Sequence, residues 1–137
     1  MTSTVVYKGN LITELTHLQS GSTILNEPPT DNHGKGEHFS PTDLFATSLG
    51  SCMITTMALR AKLGNMELDF DGTKAEITKI MSTDAPRRII EIKCHLYFTD
   101  NFKASNEQKE QLIRIAHSCP VEKSLHPDIK VDVVFNW

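Results

Sequence analysis

The chain has three cysteines among its 137 residues, one tryptophan, two tyrosines and no strong excess of either charge. Each scarcity excludes something. Three cysteines, odd in number and far apart, cannot build the disulfide framework of a small secreted domain. There is no Cys-x-x-Cys and no paired Cys/His spacing of the zinc type, so a metal site has little support. A net charge of −3 and a pI near 6.0 give no footing for nucleic acid or a membrane surface as partner. Lysines and arginines are scattered, apart from the pair Arg87-Arg88. No apolar run approaches the roughly 18 residues of a membrane span. The opening Met-Thr-Ser-Thr-Val-Val-Tyr-Lys lacks the basic and apolar regions of a secretory signal. Repeats, linkers and low-complexity segments are missing too. These absences leave one domain, 1–137, expected in the cytoplasm and long enough to bury roughly 68–70% of its unfolded surface without a staple.

What is there reads as alternating strands and helices. Strands are expected at about Thr4–Lys8, Leu11–Leu18 and Ser22–Leu25, with Gly9-Asn10 turning the first hairpin. Asn26–Phe39, with two prolines, two glycines and no periodicity, reads as a loop long enough to suggest function. Ser40-Pro41 then opens a helix: serine at the N-cap, proline at the first helical position, Asp43 at the third. The helix runs to about Leu63, where Gly64-Asn65 stops it, and is some 35 Å long at 1.5 Å per residue. Its small and apolar residues allow packing on nearly every side, which predicts a central helix.

Strands at about Glu67–Met81 and Arg88–Thr99 follow, the first with a break expected near Asp71-Gly72. In the second, Ile90, Ile92, Cys94, Leu96 and Phe98 alternate with Glu91, Lys93, His95 and Tyr97. A helix over Ser105–Ser118, a short one over Pro120–Leu125 and a last strand over Lys130–Trp137 complete an α+β order with mostly antiparallel pairing.

The cysteines carry the chemistry, if any is present. Cys52 lies about three turns inside the long helix, and Cys119 sits at the N-cap of the short one, followed by Pro120. The positive end of that helix favours a thiolate at Cys119, whereas Cys52 has no such local help. On local physics alone, Cys119 is the lower-pKa thiol. Buried free cysteines are also ordinary packing residues, and Cys94, in the apolar row of its strand, reads as core.

The segment Phe39–Leu63, with Ser-Pro-Thr-Asp-Leu-Phe-Ala-Thr-Ser-Leu-Gly-Ser-Cys-Met, resembles the central helix of the OsmC/Ohr family, the osmotically inducible and organic hydroperoxide resistance proteins. Cys119-Pro120-Val121, followed by Lys123-Ser124-Leu125, resembles that family's second cysteine motif. The 66 residues between the cysteines and the element order agree, so the likeness covers essentially the whole chain. It implies an OsmC-like fold, with sheets wrapped around long central helices in an intertwined homodimer. It also implies a peroxidase for organic hydroperoxides with no metal or organic cofactor: Cys52 attacks and becomes a sulfenic acid, Cys119 condenses with it to a disulfide, and a dithiol reductant restores both. That assigns the attack to Cys52, against the ranking from the helix dipole.

The departures are specific. Hydroperoxide-reducing members usually carry a glutamate just after the helix-starting proline and an arginine near the N-terminus. Here Thr42 follows Pro41, the carboxylate comes one place later at Asp43, and no arginine precedes Arg60. Asp43 therefore either replaces the glutamate or only caps the helix. Glu37, Phe39, Phe45 and Met53 are the candidate substrate-binding residues. The competing expectation is a redox-responsive or ligand-binding dimer without efficient turnover.

Overall fold

A computed structural model describes residues 1–137, with the order β1 (Ser3–Gly9), β2 (Ile12–His17), β3 (Thr23–Asn26), α1 (Pro41–Leu63), β4 (Lys74–Met81), β5 (Ile89–Tyr97), α2 (Asn106–Ala116), α3 (Pro120–Lys123) and β6 (Lys130–Asn136). Two compact units are evident, Met1–Phe45 and Ala46–Trp137.

In the first unit β1, β2 and β3 form an antiparallel meander. The hairpin expected at Gly9-Asn10 is present, with a register shift between Tyr7 and Gly9. This sheet buries little apolar surface: Val5, Val6, Tyr7, Ile24 and Leu25 are all exposed. The loop after β3 is held by polar contacts. Asn26 pairs with Phe39 through an isolated bridge, and its side-chain amide donates to the Phe39 carbonyl at 2.7 Å. Glu27 then organises the turn of chain between them. Its carboxylate accepts backbone N–H bonds from Lys35 at 3.1 Å, from Glu37 and from His38 at 2.8 Å.

α1 begins where the capping signal puts it. Ser40 Oγ accepts from Asp43 N at 3.1 Å, while Asp43 Oδ2 accepts from Ser40 N at 2.8 Å and Ser40 Oγ at 2.7 Å. The reciprocal pair satisfies amides that the first turn leaves unpaired. At the other end Met66 N donates to Ala61 O and Asn65 N to Lys62 O, a Schellman closure. The left-handed position is taken by Asn65, at φ 53°, rather than by Gly64.

In the second unit β4, β5 and β6 form a sheet in that order. β4–β5 is antiparallel and β5–β6 parallel, so three of the four strand pairs are antiparallel. The parallel pair follows from the return through α2 and α3, since a parallel neighbour needs a crossover. β4 is shorter than the expected Glu67–Met81. The break expected near Asp71-Gly72 is a turn, with Asp69 Oδ1 accepting from Asp71 N and Phe70 O from Thr73 N, and residues 67–70 before it are not strand. An Asx turn of this kind competes with strand pairing.

The core of this unit joins Leu49, Met53 and Met57 of α1, Ile92, Cys94 and Leu96 of β5, and Leu112 and Ala116 of α2, all buried. The alternation expected for β5 holds over those three residues, while Ile90 near the strand start is exposed. α1 approaches the sheet closely at Gly50: a Cβ there would lie 2.7 Å from Ile77 Cδ1 and 3.0 Å from Ala75 Cβ. By length and composition α1 is apolar enough to cross a membrane, although no uninterrupted apolar run suggested it. Its apolar residues serve the core just described.

Candidate active site

All three cysteines are free thiols within the second unit, and two of them meet. Cys52, half-buried on α1, is near enough to Cys119 for the two thiols to act on one another. Its Sγ also lies 3.9 Å from Thr56 Oγ1, one turn further along the helix. The helix therefore holds Cys52 rigidly, and the α2–α3 junction brings the second thiol to it.

Cys119 is the N-cap of α3, as its sequence suggests. Its Sγ accepts from Glu122 N at 3.4 Å, and Pro120 occupies the first turn. The expectation that this place lowers its thiol pKa is not met. Burial pushes the thiol above its ordinary value, the Glu122 amide pulls it back, and the Cys52 thiol and Glu122 carboxylate push it up again. A helix of four residues supplies little field, and desolvation of a fully buried sulfur outweighs it.

Around this pair stand groups that the sequence reading did not assign. Glu122 turns its carboxylate to His117, whose Nδ1 lies 3.1 and 3.2 Å from the two oxygens. The His117 ring meets Phe135 of β6 edge-on, with centroids 6.2 Å apart. Cys94, fully buried in β5, has its thiol pushed up to about 11, first by burial and then by Cys119 and Glu122. The reading of Cys94 as core agrees with this. The signal for the His117–Glu122 pair lay in the sequence, as a histidine and a glutamate flanking the Cys-Pro step.

The other candidates fall elsewhere. Met53 is fully buried in the core of the second unit. Glu37, Phe39 and Phe45 belong to the first unit and are exposed. Asp43 closes the capping box of α1. Among cations, Arg88 binds within its own turn, to Asp84 Oδ1 at 3.2 Å and the Pro86 carbonyl at 3.0 Å. Glu27, which orders the loop before α1, went unassigned because its donors lie 8–11 residues away.

Chemically, two adjacent thiols, one on a rigid helix and one at a helix cap, form a dithiol able to pass between reduced and disulfide states.

Comparison with known proteins agrees with the motif likeness. The sequence profile of the family described as OsmC-like protein matches residues 34–134. A solved structure from Psychrobacter arcticus, described provisionally as an osmotic stress induced and detoxification response protein, is 46% identical. It superposes with a TM-score of 0.91, covering 99% of this chain and 96% of that one. An organic hydroperoxide resistance protein of Legionella pneumophila shares the fold at 16% identity, with a TM-score of 0.76 and coverage of 100% and 98%. OhrB of Bacillus subtilis does so at 19% identity, with a TM-score of 0.71 and coverage of 99% and 98%. No curated protein matches the chain significantly.

Proposed function

Since the chain belongs to the OsmC-like protein family, we propose that it is a thiol peroxidase that reduces organic hydroperoxides. The observation that carries the reading is the proximity of Cys52 and Cys119, residues far apart in sequence whose thiols act on one another. Cys52 attacks the terminal peroxide oxygen; the O–O bond breaks, an alcohol leaves, and Cys52 becomes a sulfenic acid. Cys119 then attacks that sulfur, the S–O bond breaks, and water leaves as the disulfide forms. An external dithiol returns both cysteines to thiols.

In this proposal Asp43 acts by fixing the start of the helix that carries Cys52. Phe39 and Phe45, exposed and apolar, are offered as walls that favour an organic peroxide over hydrogen peroxide, with Glu37 beside them. A homodimer would cover the apolar side chains exposed on β1 and β3. A reducing cytoplasm suits a dithiol that must be regenerated.

The test is turnover. Purified protein should consume cumene hydroperoxide with a dithiol donor, and Cys52→Ser should abolish consumption. Absence of consumption by the wild type, with no difference from Cys52→Ser, sinks the proposal.

A second reading is a redox-responsive or ligand-binding dimer without efficient turnover. It is favoured by the lack of any arginine before Arg60 and by the capping use of Asp43. It predicts a single oxidation to the disulfide or a lasting sulfenic acid, with no steady state.

A further inference from the structure

We propose that His117 and Glu122 are positioning residues for Cys119, with His117 pairing the Glu122 carboxylate so that the nearby thiol can give up its proton when the disulfide closes. The inference rests on the dithiol reading above but assigns a role to residues outside it.

Glu122 touches Cys119 in two opposed ways. Its backbone N–H donates to Cys119 Sγ at 3.4 Å, which favours a thiolate. Its carboxylate acts the other way: negative charge beside the sulfur disfavours a second negative charge. The residue cannot be moved away, because its amide is part of the cap. Its side chain can be restrained, and His117 does so by presenting Nδ1 to both carboxylate oxygens at 3.1 and 3.2 Å. A carboxylate is only an acceptor, so the hydrogen lies on His117 Nδ1. The imidazole is itself braced by the Phe135 ring.

The chemistry needs this restraint at one step. When Cys119 attacks the Cys52 sulfenic acid, an S–S bond forms and the S–O bond breaks. The Cys119 proton leaves with the hydroxide as water. Cys119 sulfur is oxidised and Cys52 sulfur reduced, so no further oxidant is required. Charge accumulates on Cys119 as its proton departs, in a buried place where an unrestrained carboxylate would oppose it. The titratable groups acting on Cys119 are Cys52 from α1 and Glu122 from α3, and Cys119 acts in turn on Cys94 of β5. β6 contributes the uncharged Phe135 against His117.

The experiment measures disulfide closure by quenching and peptide mass spectrometry, with two oxidants. One is cumene hydroperoxide; the other is diamide, which forms the disulfide without any peroxidase step. His117→Ala should slow closure with either oxidant by about three- to tenfold, the change expected when a thiol pKa rises by up to one unit. It should also move the pH midpoint of closure upward. His117→Asn, which keeps a donor near Nδ1, should recover most of the rate. In His117→Ala/Glu122→Gln the slowing should disappear, because the opposing charge is gone. Sulfenic acid formation at Cys52, trapped with dimedone in a Cys119→Ser background, should not respond to His117→Ala.

Equal closure rates for wild type and His117→Ala with diamide would overturn the inference. So would a double variant as slow as His117→Ala, since loss of packing rather than charge would then explain the effect. Normal diamide results with no reaction toward hydroperoxide would remove the peroxidase reading and leave this one standing. Failure of the wild type to form the disulfide with diamide would remove both.

Discussion

Replacing Gly50 by alanine puts a methyl group where α1 packs tightly on β4, two residues before Cys52. Built on the present backbone, that carbon lies 2.7 Å from Ile77 Cδ1 and 3.0 Å from Ala75 Cβ, inside ordinary contact. Two effects compete. Alanine in a helix interior is favoured over glycine by roughly 1 kcal/mol. Overpacking a close-packed interface costs typically about 1–3 kcal/mol. Ile77 Cδ1 is a side-chain end and can rotate, but Ala75 Cβ is fixed to its strand, so the cost falls in the upper part of that range. The expected net loss is about 1–2 kcal/mol, or roughly 4–8 °C in Tm for a domain of this size. Denaturant melts at fixed protein concentration measure it. A second variant isolates the cause: Ile77→Val removes the nearer clashing atom. Alone it should cost about 0.5–1.5 kcal/mol, but in the Gly50→Ala background it should cost less or restore stability. A Gly50→Ala protein more stable than wild type, or strictly additive changes, would refute close approach as the reason for glycine here.

Three further outcomes follow from the same structure. Ser40→Ala and Asp43→Ala should each cost about 1 kcal/mol as lost caps, and the double variant should cost clearly less than the sum, because both belong to one reciprocal box; additive losses would show otherwise. Three backbone amides hold the Glu27 carboxyl below its ordinary pKa. Its contribution is present above the unfolded carboxylate value and fades as pH falls through the depressed folded one. Protection factors against hydrogen exchange in residues 28–38, corrected for the intrinsic rate at each pH, should therefore fall on acidification in wild type, and Glu27→Gln should lower them already at pH 7; an unchanged loop in that variant would contradict the role. Cys94, with its thiol pushed up to about 11, is thiolate to about one part in a thousand at pH 8. Iodoacetamide should leave it unmodified in native protein and label it after denaturation; rapid native labelling would mean it is neither buried nor raised.

Local rules made much of the fold legible. The start of α1 was readable because capping depends on residues three apart, and Ser40, Pro41 and Asp43 fit it in the structure. The buried row Ile92, Cys94, Leu96 was readable because alternation in a strand is a property of the strand itself. Cys119 as an N-cap was readable for the same reason. What depends on distant residues was not. The rise in the Cys119 thiol comes from burial by other elements, which no helix-end rule contains. The three amides on Glu27 come from loop geometry, and residues 67–70 leave the strand because Asp69 offers the backbone another partner. The stop at Gly64-Asn65 was readable too, and within that pair the left-handed residue is Asn65.

The pairing of Cys52 with Cys119 carries the redox reading, and one measurement bears on it most directly. Reduced protein is treated with one equivalent of cumene hydroperoxide, quenched with acid, digested and mapped by mass spectrometry without reduction. A cross-linked peptide joining Cys52 to Cys119, with Cys94 recovered as free thiol, is the predicted result. Three unmodified thiols, or a cross-link that uses Cys94 in place of either partner, would contradict it.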